Sequence, residues 1–541
     1  MQWEGGREEI SENFGLLTQW MLPASTDGPQ CMYVYPDPDL LTSLVELYFK
    51  EVNPYWPVLH RPTFERKLAN DLHLYNHNFG ATLLLVCSLG ALHSDDPRIY
   101  LQGAHIHTAG WKWGRQVRVV PEHLMGRCDL YELQTMALST LYFLAISPTV
   151  AWNHVGLGLR RAQDVGAHRR RTGAPTAEGE EWKRVFWVLL CLEWMFGAVS
   201  GRPLAIHIQD FDQELPIDCD DEYWDLPGPQ KFTQPKDKPS WISYFICFAK
   251  LLEIQSTVVT TLYSPKRPKN IHGQSCPPTD AQCIMVFDST LNSWVNQLPE
   301  HLRWDPDRRN RLHLTQSGVL HAAFSSVQIL IHRPYIPFGS LQSATVPSLA
   351  LCTNAARLCT HVLETHIRLG IPPSFTMGPS VFSAAVVIIL NAWIGGNSDF
   401  ANTPSKELDQ VYTCLRFLAQ VEKRHLSAGR YTDLINRLLY SGESLDSLIG
   451  HGLLPAAPPS VQLDFGLAEW SQVPSACEIE DFKGNAHDLH SAFPYSESHD
   501  LGRMDALFPT RSANPDTVVV WSTMPMSHVD NWSYMRQNNL Q

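Results

Sequence analysis

Residues 48–68 read YFKEVNPYWPVLHRPTFERKL and carry the strongest structural signal in the chain. Apolar residues recur at helical spacing up to this point: Leu41, Leu44, Tyr48 and Val52. Because the residue before a proline is pushed out of the α region, the helix is predicted to end at about Asn53, before Pro54. The residues that follow are mostly apolar and predict a buried corner rather than a solvent loop: Tyr55, Trp56, Val58, Leu59 and Phe64.

The composition is that of a large globular chain with an acidic balance. Of the 541 residues, 44% are hydrophobic and 10% aromatic, which is enough apolar side chain for a sizeable core. This length corresponds to about three or four domains, or to one continuous helical body with tails. The formal net charge is −13, so no overall positive field draws the chain to the phosphate backbone of DNA.

Cysteine usage and hydropathy favour a reducing compartment and no membrane. The twelve cysteines are scattered singly through apolar segments, unlike a secreted disulfide scaffold. The N-terminus is acidic and lacks the regions of a secretory signal. The two most apolar runs, residues 185–199 and 381–394, are interrupted by Glu193 and Asn391, and a membrane span needs about 20 apolar residues. Both runs therefore predict buried core helices.

Helical periodicity dominates residues 36–450 and strand-like alternation is scarce, so the sequence predicts an all-α fold. Residues 1–35 predict a flexible arm. Residues 451–541 hold 11 acidic and 4 basic residues in a background rich in Ser, Pro and Asn, and predict a disordered acidic tail. Isolated aromatic residues in this tail are typical of activation segments that bind a coactivator, although a spacer without a partner fits the composition equally well.

Five further stretches follow the corner in a fixed order. They read LRRAQDVGAHR at 159–169, EWKRVFW at 181–187, GRP at 201–203 with FDQELPIDCDD at 211–221, LPEHLRW at 298–304, and LIHRPYI at 330–336. Together with the corner, they resemble the middle homology region of fungal zinc-cluster transcription factors, the regulatory domain of xylanolytic-activator-like proteins. The chain departs from the family pattern at Ala167, where leucine is usual, and at Glu193, where aspartate is common.

The resemblance implies a large helical regulatory body and no catalytic, cofactor or metal site. It implies a structural role for the residues of the family motifs: Asn53, Pro54, Pro57, His60, Arg61, Pro62, Phe64, Arg184, Trp187, Gly201, Arg202, Pro203, His332, Arg333 and Pro334.

Members of that family carry, N-terminal to this body, a six-cysteine zinc cluster that binds DNA and often a short coiled coil. The cluster needs paired C-x-x-C ligands, and this sequence contains no C-x-x-C and no sustained heptad run. We therefore expect no cofactor in this chain, with zinc and DNA contact supplied by a cluster encoded upstream of Met1 or by a partner. Cys352 and Cys359 lie seven apart on a predicted helix and are expected to be core residues.

Other patterns predict structure rather than chemistry. His-Arg-Pro occurs at 60–62 and at 332–334, and we expect each to be a helix end rather than a binding site. The acidic residues at 218–222 lack the glycine and the terminal glutamate of a calcium loop and predict a solvated acidic turn. His105 and His107, with Cys87 or Cys128, fit no structural zinc spacing. The basic clusters at 169–171 and 266–269 predict solvated loops, with contact to an acidic partner or an import receptor as the alternative.

No hydrolase or nucleotide-binding signature is present in the sequence: there is no G-x-S-x-G, P-loop or H-E-x-x-H, and Gly156-Leu157-Gly158 is too short for a dinucleotide site. The sequence thus predicts a nuclear regulator of transcription, not an enzyme. Its expected partners are DNA through a zinc cluster, a second copy or related factor in a dimer, a coactivator at the tail, and a small-molecule effector. The alternatives are an enzyme or small-molecule carrier with an apolar pocket among the tryptophans, a decoy that dimerises without binding DNA, and a scaffold. The regulatory interpretation requires Trp56 and Trp187 to be buried in a shared interior.

Overall fold

The helix predicted before Asn53 is present in the computed structural model. This helix, α1 (Pro38–Glu51), ends two residues before Asn53. The corner that follows is buried as predicted, with Trp56 only 1% exposed. The structure describes residues 33–101, 106–118, 127–226, 228, 231–264, 270–271, 274–275, 279–336, 347–394 and 405–439.

The described residues form fifteen α-helices and one small antiparallel ribbon. The helices after α1 are α2 (Arg61–Ala69), α3 (Leu72–Tyr75), α4 (His77–Ala91), α5 (Trp111–Gly114), α6 (Leu130–Ile146), α7 (Pro148–Asp164), α8 (Ala177–Ser200), α9 (Ser243–Leu262), α10 (Asp280–Asn296), α11 (Arg311–His332), α12 (Ser348–Arg368), α13 (Gly378–Ile394), α14 (Lys406–Glu422) and α15 (Leu426–Leu439). The ribbon pairs β1 (Asn270–Ile271) with β2 (Gln274–Ser275). Short 3-10 helices span Pro97–Ile99, Ile106–Thr108, Ile208–Asp210, Asp221–Tyr223, Glu300–Leu302, Arg333–Tyr335 and Phe375–Met377.

The helices pack as two groups that share one interior. In the first group, α4 packs between α1 and α6, and α6 packs against α7 and α8. In the second group, α11 to α15 pack largely in chain order, each against the next. Helix α9 lies between α8 and α11, and α15 returns to α6. One continuous apolar cluster runs through both groups, so the all-α prediction is confirmed.

The two ends of helix α8 are fixed by local features of its sequence. The Thr176 side chain caps its first turn, with Oγ1 accepting from the Gly179 amide at 3.0 Å. At the other end, Gly201 has a φ of 65°, a left-handed conformation that glycine adopts without a Cβ penalty. Within the apolar run at 185–199, every residue except Met195, Ala198 and Val199 is buried, which confirms a core helix.

A short turn separates the last two helices, because α14 ends at Glu422 and α15 starts at Leu426. Tertiary contacts fix the turn between them, since His425 stacks on Phe375 with ring centroids 4.8 Å apart and Arg424 donates to the Ser94 carbonyl at 2.8 Å. Residues 33–35 of the predicted arm pack against the body, where Tyr33 stacks on His77. The rest of the arm and the acidic tail lie outside the described residues.

Two described stretches, Ser243–Leu262 and Phe375–Ile394, are long and apolar enough to cross a membrane by length and composition alone. In the structure, 61% and 67% of their most apolar windows are buried inside the body. The second stretch contains the run at 381–394, which was predicted to be a core helix. Extensive burial against other helices is how the core helices of a globular body satisfy their apolar faces.

Gly90 permits the closest approach between α1 and α4. A Cβ added at this position would lie 2.1 Å from the carbonyl oxygen of Leu44, a backbone atom that cannot move aside. We expect Gly90→Ala to lower the free energy of unfolding by about 1–3 kcal/mol, the usual cost of overpacking a core. Urea denaturation measures the effect. The control is Gly156→Ala in α7, where nothing lies within 4 Å of the added Cβ and stability is expected to rise by about 0.5–1 kcal/mol. Equal effects of the two substitutions would contradict the close packing.

Candidate regulatory centre

The corner after α1 is closed by the side chain of Asn53. Its Oδ1 accepts from the Leu59 amide at 3.3 Å and from the Tyr48 hydroxyl at 3.2 Å, while its Nδ2 donates to the Leu59 carbonyl at 3.1 Å. Asn53 is buried, so these bonds satisfy an amide that would otherwise be costly to desolvate. Pro54 joins the corner to α11, because its carbonyl accepts from Gln316 Nε2 at 3.2 Å. Pro57 is buried inside the corner.

The first His-Arg-Pro starts a helix instead of ending one. His60 occupies the N-cap position of α2, and Arg61 and Pro62 lie in its first turn. The prediction of a helix end is therefore wrong at this site. The physical reason is that proline fits the first turn of a helix, where its missing N–H would have had no intrahelical acceptor. Phe64, one turn further on, is buried edge-on to Phe49 with ring centroids 5.5 Å apart.

His60 connects this corner to a distant segment of the chain. Its Nε2 donates to the Asp221 carbonyl at 3.0 Å, and in the neutral ring its Nδ1 accepts from the Thr63 hydroxyl at 2.7 Å. The imidazole stacks on Trp224 with centroids 4.2 Å apart and planes 6° from parallel. Burial lowers the pKa of His60, which favours this neutral form.

Arg184 of α8 contacts the same two residues as His60, namely Asp221 and Trp224. The side chain is fully buried, and its Nη1 donates to Asp221 Oδ1 at 2.7 Å. The guanidinium lies over the Trp224 ring at 4.2 Å and over the Trp241 ring at 5.4 Å. Its Nε and Nη2 have no hydrogen-bond acceptor among the described residues. The charge is thus held by one carboxylate and two aromatic faces.

Asp221 is the shared acceptor of the cluster. Its second oxygen, Oδ2, accepts from the Arg61 amide at 2.9 Å, at the start of α2. A carboxylate at this position satisfies a free amide of the first turn and lies at the positive end of the helix dipole. Asp221 therefore caps a helix that lies 160 residues away in the sequence. We call the group of Asp221, Arg184, His60, Trp224 and Trp241 the arginine centre.

The prediction of a solvated acidic turn at 218–222 is wrong for Asp220 and Asp221. Asp220 is buried, and its Oδ1 accepts from the Ser240 hydroxyl at 3.0 Å and the Trp241 amide at 2.9 Å. Asp221 is bound inside the arginine centre. These partners lie 20 to 37 residues away, so local composition did not indicate them. Glu222 stays on the surface and pairs with Lys238.

The segment at 205–221 runs back along α8 and is fastened to it at intervals. The Ala205 amide donates to Glu193 Oε1 at 2.7 Å, Trp187 Nε1 donates to the Glu214 carbonyl at 2.7 Å, and the Ile217 amide donates to Glu180 Oε2 at 3.1 Å. Trp187 is 4% exposed, so this tryptophan is buried as the regulatory interpretation requires.

The Gly201-Arg202-Pro203 motif forms the turn between α8 and this segment. Arg202 lies over the ring of Trp152 of α7 at 4.3 Å. The motif therefore stands at the far end of α8 from the arginine centre, and α8 with the returning segment connects the two.

The second His-Arg-Pro does end a helix, as predicted. Helix α11 finishes at His332, and Arg333–Tyr335 form a 3-10 turn that contains Pro334. His332 Nε2 lies 3.1 Å from Asp288 Oδ1, and its Nδ1 lies 3.4 Å from Ser348 Oγ. Arg333 Nε donates to the Tyr263 hydroxyl at 2.8 Å. Ser348 is 1% exposed, so this Ser–His–Asp arrangement does not present a nucleophile to a substrate.

The described residues contain no group of three or more His, Cys, Asp or Glu side chains arranged to hold a metal ion. His107 Nε2 donates to the Glu422 carbonyl at 2.7 Å, and His105 lies outside the described residues. Cys352 and Cys359 are buried in α12, as their spacing predicts. Arg169 and Arg170 of the first basic cluster pair with Asp212 and Glu214.

Glu181, one turn before Arg184, gives the region a measurable dependence on pH. Burial raises the pKa of Glu181 to about 7, against the opposing charges of Lys67 and Arg184. An unfolded glutamate titrates near 4.3, so the folded state binds the proton more tightly. The stability that this proton contributes is complete below about pH 4 and is lost as the pH rises through about 7.

We expect Glu181→Gln to remove this dependence. Between pH 6 and pH 8 the wild-type chain loses roughly 1–1.5 kcal/mol of unfolding free energy through this group, and the amide loses none. Urea midpoints at the two pH values measure the difference. Glu178→Gln, at an exposed position of the same helix, is the control and is expected to behave as wild type. A Glu181→Gln variant with the wild-type pH dependence would contradict the burial of this carboxyl.

The comparisons with known proteins agree with this architecture. Residues 45–303, which include the whole arginine centre, match the fungal specific transcription factor domain. The chain is 26% identical over 360 residues to an uncharacterized transcriptional regulatory protein of Schizosaccharomyces pombe, covering 62% of this chain and 44% of the relative.

Two further relatives are named as activators. The chain is 24% identical to Activator of stress genes 1 of Saccharomyces cerevisiae, covering 70% of this chain and 41% of the relative. It is 26% identical to the transcriptional activator protein acu-15 of Neurospora crassa, covering 64% of this chain and 37% of the relative. The chain thus spans less than half the length of these three relatives. Over residues 45–303, the chain is similar to proteins that carry the fungal specific transcription factor domain.

Proposed function

We propose that this protein is a nuclear regulator of transcription whose helical body, predicted over residues 36–450, responds to an effector and to partner proteins. The observation that carries the proposal is the match of residues 45–303 to the fungal specific transcription factor domain, together with relatives that are named as transcriptional regulators and activators. The named functions of these relatives also weigh against the alternative of an enzyme or small-molecule carrier.

In this proposal the helical body does not contact DNA itself. The chain has a net charge of −13, so no overall positive field draws it to the phosphates of DNA. A zinc cluster supplies the contact with DNA and binds the zinc. This cluster lies in another segment of the protein or in a homo- or heterodimeric partner.

Signal passes by a shift between two packings of the helices, which requires an effector that binds one packing more tightly. The arginine centre is suited to this role because it joins α2, α8 and the loop before α9 through one carboxylate, that of Asp221, whose side chain is 11% exposed. Buried charged groups are well placed to specify one arrangement over another, since a displaced partner leaves a charge without compensation. The acidic tail at 451–541, rich in isolated aromatics, would bind a coactivator.

A tethering experiment tests the proposal. The full chain is fused to a heterologous DNA-binding module, and reporter output is measured with and without residues 451–541. We expect output from the full fusion and its loss on removal of the tail. The matched control keeps the tail charge but replaces Phe465, Trp470, Phe482 and Phe508 with alanine, which should also reduce output. No change in reporter level, up or down, with any fusion would contradict the proposal and favour the decoy or scaffold alternatives.

A further inference from the structure

The loop between α7 and α8 exposes a threonine directly after three arginines. Residues 169–176 read RRRTGAPT, and all eight are exposed to solvent. From residue 170 onward the backbone of this loop is neither helix nor strand, and Gly173 has a φ of 116°. Such a segment offers its side chains and its extended backbone to another protein without any unfolding of the body.

Arg169 and Arg170 form surface ion pairs, whereas Arg171 lies over the Trp182 ring at 5.7 Å. Arg169 Nε lies 3.2 Å from Asp212 Oδ1, and Arg170 Nη2 lies 2.7 Å from Glu214 Oε1. The side chains of all four residues are more than half exposed. Exposed pairs of this kind contribute about 0–1 kcal/mol, so both arginines can exchange their carboxylates for those of another protein at little cost.

We propose that Thr172 is a phosphorylation site for a basophilic serine/threonine protein kinase. Arg169 and Arg170 stand three and two residues before the threonine, where an acidic substrate groove would bind their guanidinium groups. In the reaction Thr172 Oγ1 attacks the γ-phosphorus of ATP, the bond from this phosphorus to the β,γ-bridging oxygen breaks, and ADP leaves. The hydroxyl proton passes to the catalytic aspartate of the kinase.

The phosphate would change the pairing of the loop. It carries a charge of about −1.5 to −2 and three acceptor oxygens, so it competes with Asp212 and Glu214 for the two arginines and repels both carboxylates. The Asp212 amide donates to the His168 carbonyl at 3.2 Å, and Asp212 Oδ1 accepts from the Arg170 amide at 2.8 Å. Phosphorylation therefore loosens the segment at 212–214, which is fastened to α8 through Trp187.

The chain contains a matched site that the fold protects. Ser427 follows Arg424 by three residues, as Thr172 follows Arg169, and Lys423 precedes that arginine. Its hydroxyl, however, donates to the Leu144 carbonyl at 3.0 Å, and Arg424 is bound to Ser94 and Asp95. Ser427 also lies in the first turn of α15. Sequence alone makes both residues candidates, whereas the structure exposes only Thr172.

The test uses the folded full chain, ATP and the purified catalytic subunit of cyclic-AMP-dependent kinase, whose activity is verified on a standard substrate peptide. We expect about one phosphate per chain at Thr172, loss of this label in Thr172→Ala, and no change in Ser427→Ala. Arg169→Gln with Arg170→Gln should abolish or strongly reduce labelling while leaving thermal unfolding near wild type. Hydrogen exchange of residues 210–217 should quicken by roughly twofold to fivefold in the phosphorylated chain. An unlabelled folded chain, or label that persists in Thr172→Ala, would overturn the proposal.

Discussion

Replacing Arg184 with methionine is expected to lower the free energy of unfolding by about 3–5 kcal/mol. The substitution leaves Asp221 in the arginine centre without its cation, and a carboxylate whose side chain is only 11% exposed is costly to leave without a countercharge. It also removes the guanidinium from the Trp224 face, where it lies at 4.2 Å. Methionine fills much of the same volume, so cavity formation contributes little. Thermal and urea unfolding of the purified chain measure the loss.

Arg160→Met is the matched control for this prediction. Arg160 lies on α7, where its exposed side chain donates to Gln163 at 3.2 Å. We expect a change of no more than about 0.5 kcal/mol, as for most surface substitutions. A loss at Arg184 no larger than the loss at Arg160 would show that the buried ion pair does not hold the centre together.

Trp56→Ala is expected to cost about 3–5 kcal/mol of unfolding free energy. The indole is fully packed in the corner after α1 and lies edge-on to Phe248 of α9, with ring centroids 5.7 Å apart. Alanine would leave a large cavity between the corner and α9. Because the indole Nε1 has no hydrogen-bond partner among the described residues, the cost comes from packing and not from a lost hydrogen bond.

Trp56→Phe separates these two contributions. Phenylalanine keeps most of the aromatic contact and removes the unpartnered N–H, so we expect a loss of about 1–2 kcal/mol, clearly smaller than that of alanine. Urea midpoints of the two variants give the comparison. If phenylalanine destabilised the chain as much as alanine does, the indole nitrogen would have a partner and the packing account of the corner would be wrong.

The elements predicted best are those whose limits lie in local sequence. The end of α1 was predicted correctly from Asn53-Pro54, because proline restricts the backbone of the residue before it. In helix α8, a capping threonine and a glycine fix the two ends, and its central burial was predicted from an apolar run with only Glu193 to interrupt it. In each case the determining interaction spans a few residues, so one sequence was sufficient.

The arginine centre was only partly predictable, because its contacts are long-range. The family resemblance placed His60 and Arg184 in structural motifs, but it did not indicate that both meet at Asp221, 161 and 37 residues away. The acidic stretch therefore looked like a solvated turn. A usable signal was the pair of tryptophans, Trp224 and Trp241, that flank the loop after it, since aromatic rings near a motif arginine favour a cation–π contact.

The structure of the first His-Arg-Pro also depends on a distant residue and could not be predicted from the motif alone. Proline stops a helix that precedes it and also fits the first turn of a helix that follows, so the three residues alone do not distinguish the two cases. At His60 the outcome is set by Asp221, which caps the new helix. At His332 the preceding helix ends and a 3-10 turn follows.

Arg184 and Asp221 act as one unit that joins the corner, α8 and the loop before α9. A double-mutant cycle with Arg184→Met and Asp221→Asn tests this coupling most directly, because asparagine keeps an acceptor for the Arg61 amide while removing the charge. We predict that the double variant loses about 1.5–3 kcal/mol less unfolding free energy than the sum of the two single losses. Single-variant losses that simply add, to within about 0.5 kcal/mol, would contradict the claim.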